Sequence, residues 1–244
     1  MRIFIGLIVT FFLSTQLFGQ NKSKVKVYEQ KYMMPSFLSI SSVQDSTGEI
    51  NSTPRYTLFP NNESNVNVDF GKYVGIFSGL GARNVGFISY ENNGTKVKRR
   101  MISLNVPLAL KLGDLYNWYV YGGAGFDLAI NYRRKTFMPD GKQSYQKWWT
   151  SDEFRFFQPT TFVGFNYKCV DFKVEYFLNN MVNQKSKTTL FGQNNYYRNF
   201  QVQTLLFSLG IRGDFTKYWK DKLKDKLPNL PTPPTPKKEK GTNV

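Results

Sequence analysis

Residues 102–112 read ISLNVPLALKL, with an aliphatic side chain at every even position from Ile102 to Leu112. The odd positions include Ser103, Asn105, Ala109 and Lys111. Side chains of an extended chain alternate between two faces, so period two with one apolar face marks a half-buried strand. The pattern recurs. In Val170–Leu178 the apolar set is Val170, Phe172, Val174, Tyr176 and Leu178, and the opposite face carries Asp171, Lys173, Glu175 and Phe177. Near the C-terminal end Leu205, Phe207, Leu209, Ile211 and Phe215 share one face, with Thr204, Ser208, Arg212 and Asp214 on the other. Helical periodicity is absent from 34 to 215. Strands are expected at about 34–42, 70–80, 82–91, 98–112, 116–134, 154–168, 170–181 and 199–215, several longer than the roughly 9–11 residues that span a bilayer at a tilt.

The connections between these strands run long, short, long, short. A Ser/Asn/Thr-rich loop over 43–69 is followed by a tight Gly79–Leu80–Gly81 turn, then the modest 91–97 loop, Gly113–Asp114, a loop at 135–153, a turn at Lys168–Cys169 and a loop at 182–198. Long loops on one side only are the outer-membrane barrel pattern, with short turns facing the periplasm. The expected fold is all-β: a roughly eight-stranded antiparallel up-and-down transmembrane barrel over 34–215, monomeric, with both termini periplasmic and a flexible C-terminal tail. A soluble periplasmic β-sandwich or lipocalin-like binder would turn the same apolar faces inward, and alternation alone does not separate the two.

The chain has 244 residues and is 41% hydrophobic and 17% aromatic, with 22 Phe and 15 Tyr. That composition folds, yet the mean hydropathy of −0.43 is far too polar for membrane helices. A barrel reconciles the two, because only alternate residues face lipid. Residues 1–19, MRIFIGLIVTFFLSTQLFG, have a basic start at Arg2, an apolar run Ile3–Leu13 and small Gly19 before Gln20, the features of a cleaved signal peptide. Residues 20–33 are expected as an N-terminal periplasmic segment. The net charge is +16 with a pI near 9.8. No zinc-finger spacing, RNP-like motif or basic helix supports nucleic acid as partner, so anionic outer-membrane lipid and lipopolysaccharide are the better match.

Residues 216–244 change character. TKYWKDKLKDKL can form a short amphipathic helix with Trp219, Leu223 and Leu227 four residues apart, followed by a proline- and lysine-rich extended segment containing Pro231, Pro233 and Pro234. Eight lysines stand against three acidic residues over 217–244. These six residues are the candidate docking element for a membrane or periplasmic protein of a larger complex.

The stretches GIFSGLGARNVGFI (75–88), KRRMISLNVPLALKLGD (98–114) and YVYGGAGFDLAINYRRK (119–135), with the LFGQ junction at 17–20, resemble the small outer-membrane barrel proteins of Bacteroidota often grouped as PorT-like. The resemblance covers most of 34–215 and rests on structural motifs. It implies fold and compartment, transfers no catalytic residues, and includes relatives that work with secretion and gliding apparatus.

The sequence holds no histidine and one cysteine, Cys169. Barrel hydrolases and acyltransferases that use histidine as general base are therefore excluded, as are an internal disulfide and a cysteine-built metal site. Asp171 and Glu175 lie roughly 13 Å apart by strand rise, too far to cooperate as a carboxylate pair. No enzyme activity, catalytic residue, metal or cofactor is expected. If the apolar faces point outward, Lys111, Asp127, Lys173, Glu175, Arg212 and Asp214 point into the lumen, where buried charges must pair. Eight strands leave an interior that side chains just fill, so these residues are expected to plug it. Tyr116, Trp118, Tyr119 and Tyr121 suit a headgroup belt at the periplasmic side, with Tyr218 and Trp219. Arg133, Arg134, Lys135, Lys142, Lys147, Trp148 and Trp149 form a basic aromatic outer-loop patch suited to lipid phosphates or a protein contact. The leading functional expectation is a non-enzymatic accessory or structural subunit of an envelope complex, such as secretion or outer-membrane assembly machinery. The alternative is an autonomous outer-membrane barrel for envelope integrity, adhesion or small-ligand binding.

Overall fold

The structure, a computed structural model, describes residues 25–57, 61–91, 94–149 and 151–212. The signal segment 1–19, Asp214, Phe215 and the tail with Trp219, Leu223, Leu227, Pro231, Pro233 and Pro234 lie outside the described residues, as does Tyr218.

Among the described residues twelve strands follow one another: β1 (Val25–Asp45), β2 (Gly48–Ile50), β3 (Ser52–Thr53), β4 (Arg55–Thr57), β5 (Asn61–Phe70), β6 (Val74–Glu91), β7 (Thr95–Asp114), β8 (Trp118–Phe137), β9 (Gln143–Trp148), β10 (Phe157–Tyr167), β11 (Val170–Phe177) and β12 (Gln201–Arg212). Eight of them close a ring in the order β1, β5, β6, β7, β8, β10, β11, β12 and back to β1, every pairing antiparallel. Closure leaves the ring with no free edge. The connections 71–73, 115–117 and 168–169 lie at one end, with Val25 and Arg212; the described parts of the connections after β1, β6, β8 and β11 lie at the other, here called the outer end.

The alternation of side chains is inside-out relative to a soluble protein. Leu80, Leu108 and Val163 are more than 60% exposed, while Lys111, Asp127 and Arg99 have no exposed surface. On β7 the aliphatic even positions face outward and Ser103, Asn105 and Lys111 face the lumen. On β11 Asp171, Lys173 and Glu175 are likewise inward. The sandwich alternative, which needs the opposite faces, is overturned by this polarity.

Three sequence expectations are corrected. Residues 74–91 form one strand, not two: Gly79 is no turn but the point where β5 crosses close, since a Cβ there would collide with Asn65 and with the Ser64 carbonyl. The 43–69 segment is not all loop. Residues 61–70 are β5, with Glu63, Asn65, Asn67 and Asp69 inward and Val66 and Phe70 outward. The barrel begins earlier than expected, because β1 starts at Val25, inside the segment assigned to 20–33.

Two irregularities shape the outer end. Above β5, the gap between β1 and β6 is sealed by short pieces: β4 pairs with β1, β3 with β6, and Ser39 Oγ donates to the Gly86 carbonyl at 2.6 Å. On β8 a bulge sets Ala129 opposite Ser103 but Asn131 opposite Ile102, leaving Ile130 as the extra residue. An extra residue inverts which parity faces inward. Strand β8 also forks: Trp118–Leu128 pairs with β10, while Tyr132–Phe137 pairs with β9.

Candidate functional site

The lumen is crossed by three tiers of paired charge. At the inner end Lys111 Nζ donates to Asp69 Oδ1 at 2.5 Å and Asn67 Oδ1 at 2.9 Å. Beside it Tyr121 donates to Asp171 at 2.7 Å, and Tyr32 and Tyr119 hydroxyls meet at 2.9 Å. In the middle tier Arg83 reaches Asp127 through Nε at 2.8 Å and Nη2 at 2.7 Å, and Glu175 through both Nη atoms. Asp127 also accepts Ser103 Oγ at 3.0 Å and Asn105 Nδ2 at 2.9 Å. Lys173 donates to Glu63 at 3.1 Å. Buried charges survive only when paired and hydrogen-bonded in this way.

The outer tier is an aromatic cage. Arg99 ion-pairs with Glu91 and donates to Tyr197 Oη at 3.0 Å, with its guanidinium 5.3–5.5 Å from the rings of Phe87, Tyr197 and Phe200. Arg134 donates to Glu153 at 2.6 Å, and Tyr197 donates to the same carboxylate at 2.7 Å. Tyr197 and Phe200 come from the 178–200 connection and Glu153 from 138–156, so two outer loops fold down and lock onto the wall. Burial works to raise the Glu91 carboxyl, but Arg99 outweighs it and holds the group below the usual carboxylate range. Between this tier and the middle one lies an apolar cluster that includes Val85, Met101, Phe177 and Leu206.

The structure therefore brings Lys111, Asp127, Lys173 and Glu175 together as lumen residues. Arg212 ends β12 half-buried at the inner end, where it has interactions of its own. Arg83, the centre of the middle tier, falls in the expected 82–91 strand but was not foreseen, because the run ARNVGFISYE shows no clean alternation that would assign it a face. Glu63 and Asp69 were assigned to a loop. Asp171 and Glu175 sit in separate tiers, each with its own partners.

The expected outer-loop patch splits in two. Arg134 points inward to Glu153, and Trp148 stacks on Tyr132 at 5.4 Å, because the Ile130 bulge sends even residues of upper β8 into the lumen. Lys142 sits at the hairpin tip 3.2 Å from Asp140. Arg133, Lys135, Lys147 and Trp149 remain on the outward side, the first three on strands rather than in a loop and Trp149 just past the end of β9. Three cations of β7 that the sequence reading did not single out, Lys96, Lys98 and Arg100, join them: Lys98 lies directly opposite Lys135, and Arg100 opposite Arg133. Of the expected aromatic belt, Tyr116 and Trp118 are outward and exposed, with Phe70, Tyr73 and Tyr167 at the same level, while Tyr119 and Tyr121 fill the lumen instead. Their inward turn is accommodated by Gly164, opposite Tyr121, whose ring occupies the space a Cβ would need.

No family model matches the chain, and no curated protein matches it. Solved structures similar to it include Neisserial surface protein A, with 13% identity over 77% of this chain and 97% of that one at a TM-score of 0.38. Ail, the attachment invasion locus protein of Yersinia pestis, in complex with the heparin analogue sucrose octasulfate, shares 13% identity over 76% and 99% at a TM-score of 0.35. The outer membrane protein OprG from Pseudomonas aeruginosa shares 12% over 75% and 94% at 0.31.

Proposed function

We propose that this chain is an autonomous, non-enzymatic barrel of a Gram-negative outer membrane, closed to solutes, which serves envelope integrity or adhesion by holding its longer connections outside the cell. The observation that carries the reading is the inverted polarity: lipid-compatible side chains outside, paired charges inside. The outward aliphatic run Ile102–Leu112 supports it quantitatively. At about 3.4 Å per residue it covers roughly 34 Å along the strand, or about 25 Å along the axis at a tilt near 40°, the height of a barrel's apolar band. Aromatic residues flank the run at the inner end, Tyr116 and Trp118, and at the outer, Phe156 and Phe157, as interface girdles do. Short turns then face the periplasm with both described ends of the barrel. The motifs at 75–88, 98–114 and 119–135 favour the small Bacteroidota barrels as its kin.

Reading the chain as a subunit of an envelope complex rests on the tail, and no described surface favours it. The two readings separate on purification in mild detergent from the native membrane. A heat-modifiable monomer without stoichiometric companions is expected; a companion retained in fixed ratio would hand the case to the complex subunit. Recovery from the soluble periplasmic fraction without detergent would sink the membrane reading altogether.

A further inference from the structure

The geometry points to a binding site for the phosphate groups of outer-leaflet glycolipids on the outward faces of β7, β8 and β9. This inference rests on the membrane reading above and goes beyond it by naming a ligand and its site.

Lys96, Lys98 and Arg100 alternate with inward residues on β7 and so share its outward face. Across the strand pairing, Lys98 faces Lys135, and Arg100, Arg133 and Lys147 stand in one row over three strands. Like charges directly opposite each other in a sheet cost stability. Among the described residues, no carboxylate approaches any of these six cations within ion-pair distance. Their neighbours are rings: Lys98 lies 5.3 Å from Phe137, Lys135 5.4 Å from Tyr145, and Lys147 5.8 Å from Trp149. The contrast lies within the same strands. Arg99 and Arg134, one residue away but inward, are paired with Glu91 and Glu153. Along these stretches of β7 and β8 the described counter-anions stand on the inward face and none on the outward one.

Position decides which anion. These side chains point sideways from the wall, on the face that becomes aliphatic at Ile102. Arg100 stands two residues above that edge, roughly 5 Å along the axis given the strand rise and tilt. The polar zone of a bilayer is about 5–8 Å deep on each side, so the row Arg100–Arg133–Lys147 sits at headgroup depth and Lys98–Lys135 just above. A polyanion arriving from solution would meet cations at loop tips; this patch lies below them. Between the strands is an open depression of about 230 Å³ lined by Arg100, Arg133, Lys135, Gln143, Ser144 and Tyr145. Guanidinium forks suit phosphate oxygens, and Arg100 with Arg133 presents two side by side.

The test uses the full-length barrel in phosphatidylcholine nanodiscs, with bis-phosphorylated lipid A and its dephosphorylated form as probes and native mass spectrometry as readout. Insertion into phosphatidylcholine alone is scored first; failure there sinks the membrane reading itself. With insertion secured, the wild type should retain phosphorylated lipid A and release the dephosphorylated form. The K98Q/R100Q/R133Q/K135Q variant, checked for heat-modifiable mobility, should bind about 100-fold more weakly at about a kilocalorie's worth of attraction per charge, screened. If that variant does not fold, R100Q/R133Q alone should lose about 10-fold. The K98R/K135R variant should retain binding. Equal retention of both lipids, or of lipid A by wild type and variant, overturns the site. Binding of soluble inorganic polyphosphate as tight as that of lipid A overturns the lipid as its occupant.

Discussion

Arg83 reaches two carboxylates on two different strands, Asp127 of β8 and Glu175 of β11, and so ties opposite walls of the lumen together. Replacing it with Met keeps most of its bulk and strands both carboxylates. Leaving a buried charge without its partner costs about 3–5 kcal/mol, so Arg83→Met should lower the unfolding free energy measured in urea by that much and abolish heat-modifiable mobility at a lower temperature. Converting the whole triad to apolar residues of similar volume should cost far less. Four lumen residues were legible in the sequence because β7, β8 and β11 alternate cleanly around Lys111, Asp127, Lys173 and Glu175. Arg83 was not, since its expected strand mixes polar and apolar residues on both faces, with Arg83, Val85 and Phe87 on one and Asn84 and Ile88 on the other. Glu91 carries a pH dependence with a definite sign. Its carboxyl is held below the usual range by Arg99 despite burial. A depressed carboxylate contributes its stability in full above the unfolded value near 4.3 and loses it as pH falls through the lowered folded value. The outer tier should therefore hold at neutral pH and release the 178–200 connection only in strong acid, below about pH 4. Hydrogen exchange at Tyr197 and Phe200 would show it; release between pH 5 and 7 would contradict the assignment.

At the scale of elements, the count of eight strands came out right through two offsetting errors. β6 was divided at Gly79–Gly81, and β5 was lost in a stretch rich in Asn and Ser. The physical reason is the same for both. In a narrow barrel the inward residues of β5 must be polar to meet Lys111 and Lys173, and only Val66, Val68 and Phe70 remain to signal a strand. Its partner needs glycine at Gly79 for close approach, and glycine mimics punctuation. The bulge on β8 was illegible too: nothing in LAINYRRK says that parity changes at Ile130, yet that change puts Arg134, rather than Arg133 and Lys135, inside. Deleting Ile130 would remove the bulge and leave Asn131 opposite Ile102 and Arg134 opposite Arg99, so the facing of upper β8 should be kept. The 178–200 connection should then resist added trypsin as in the wild type, and the barrel should keep its heat-modifiable mobility. New cleavage there would mean that the bulge itself, beyond the register, aims the outer tier.

For the whole molecule, the decisive property is inside-out polarity, and the sequence showed its alternation without its sign. The sign is read from burial alone: Leu80, Leu108 and Val163 stand outside the ring while Lys111 and Asp127 are enclosed by it. Three tiers of paired side chains cross the lumen, so planar bilayers holding the protein should show no steady conductance steps. Removing the middle tier with Arg83→Ala should not open the barrel while the outer cage around Arg99 stands; steady channels in the wild type would refute the sealed lumen. The fork on β8 has a different kind of consequence. Each strand of the ring is bonded on both sides and has no place from which to unzip. β9 is bonded to β8 alone. The protein thus joins a part that can open only as a unit to one that can fray residue by residue. Amide protons of β9 should exchange within the time that those of β10 and β11 stay protected, so one chain would show two separate clocks, with their boundary between Leu128 and Tyr132.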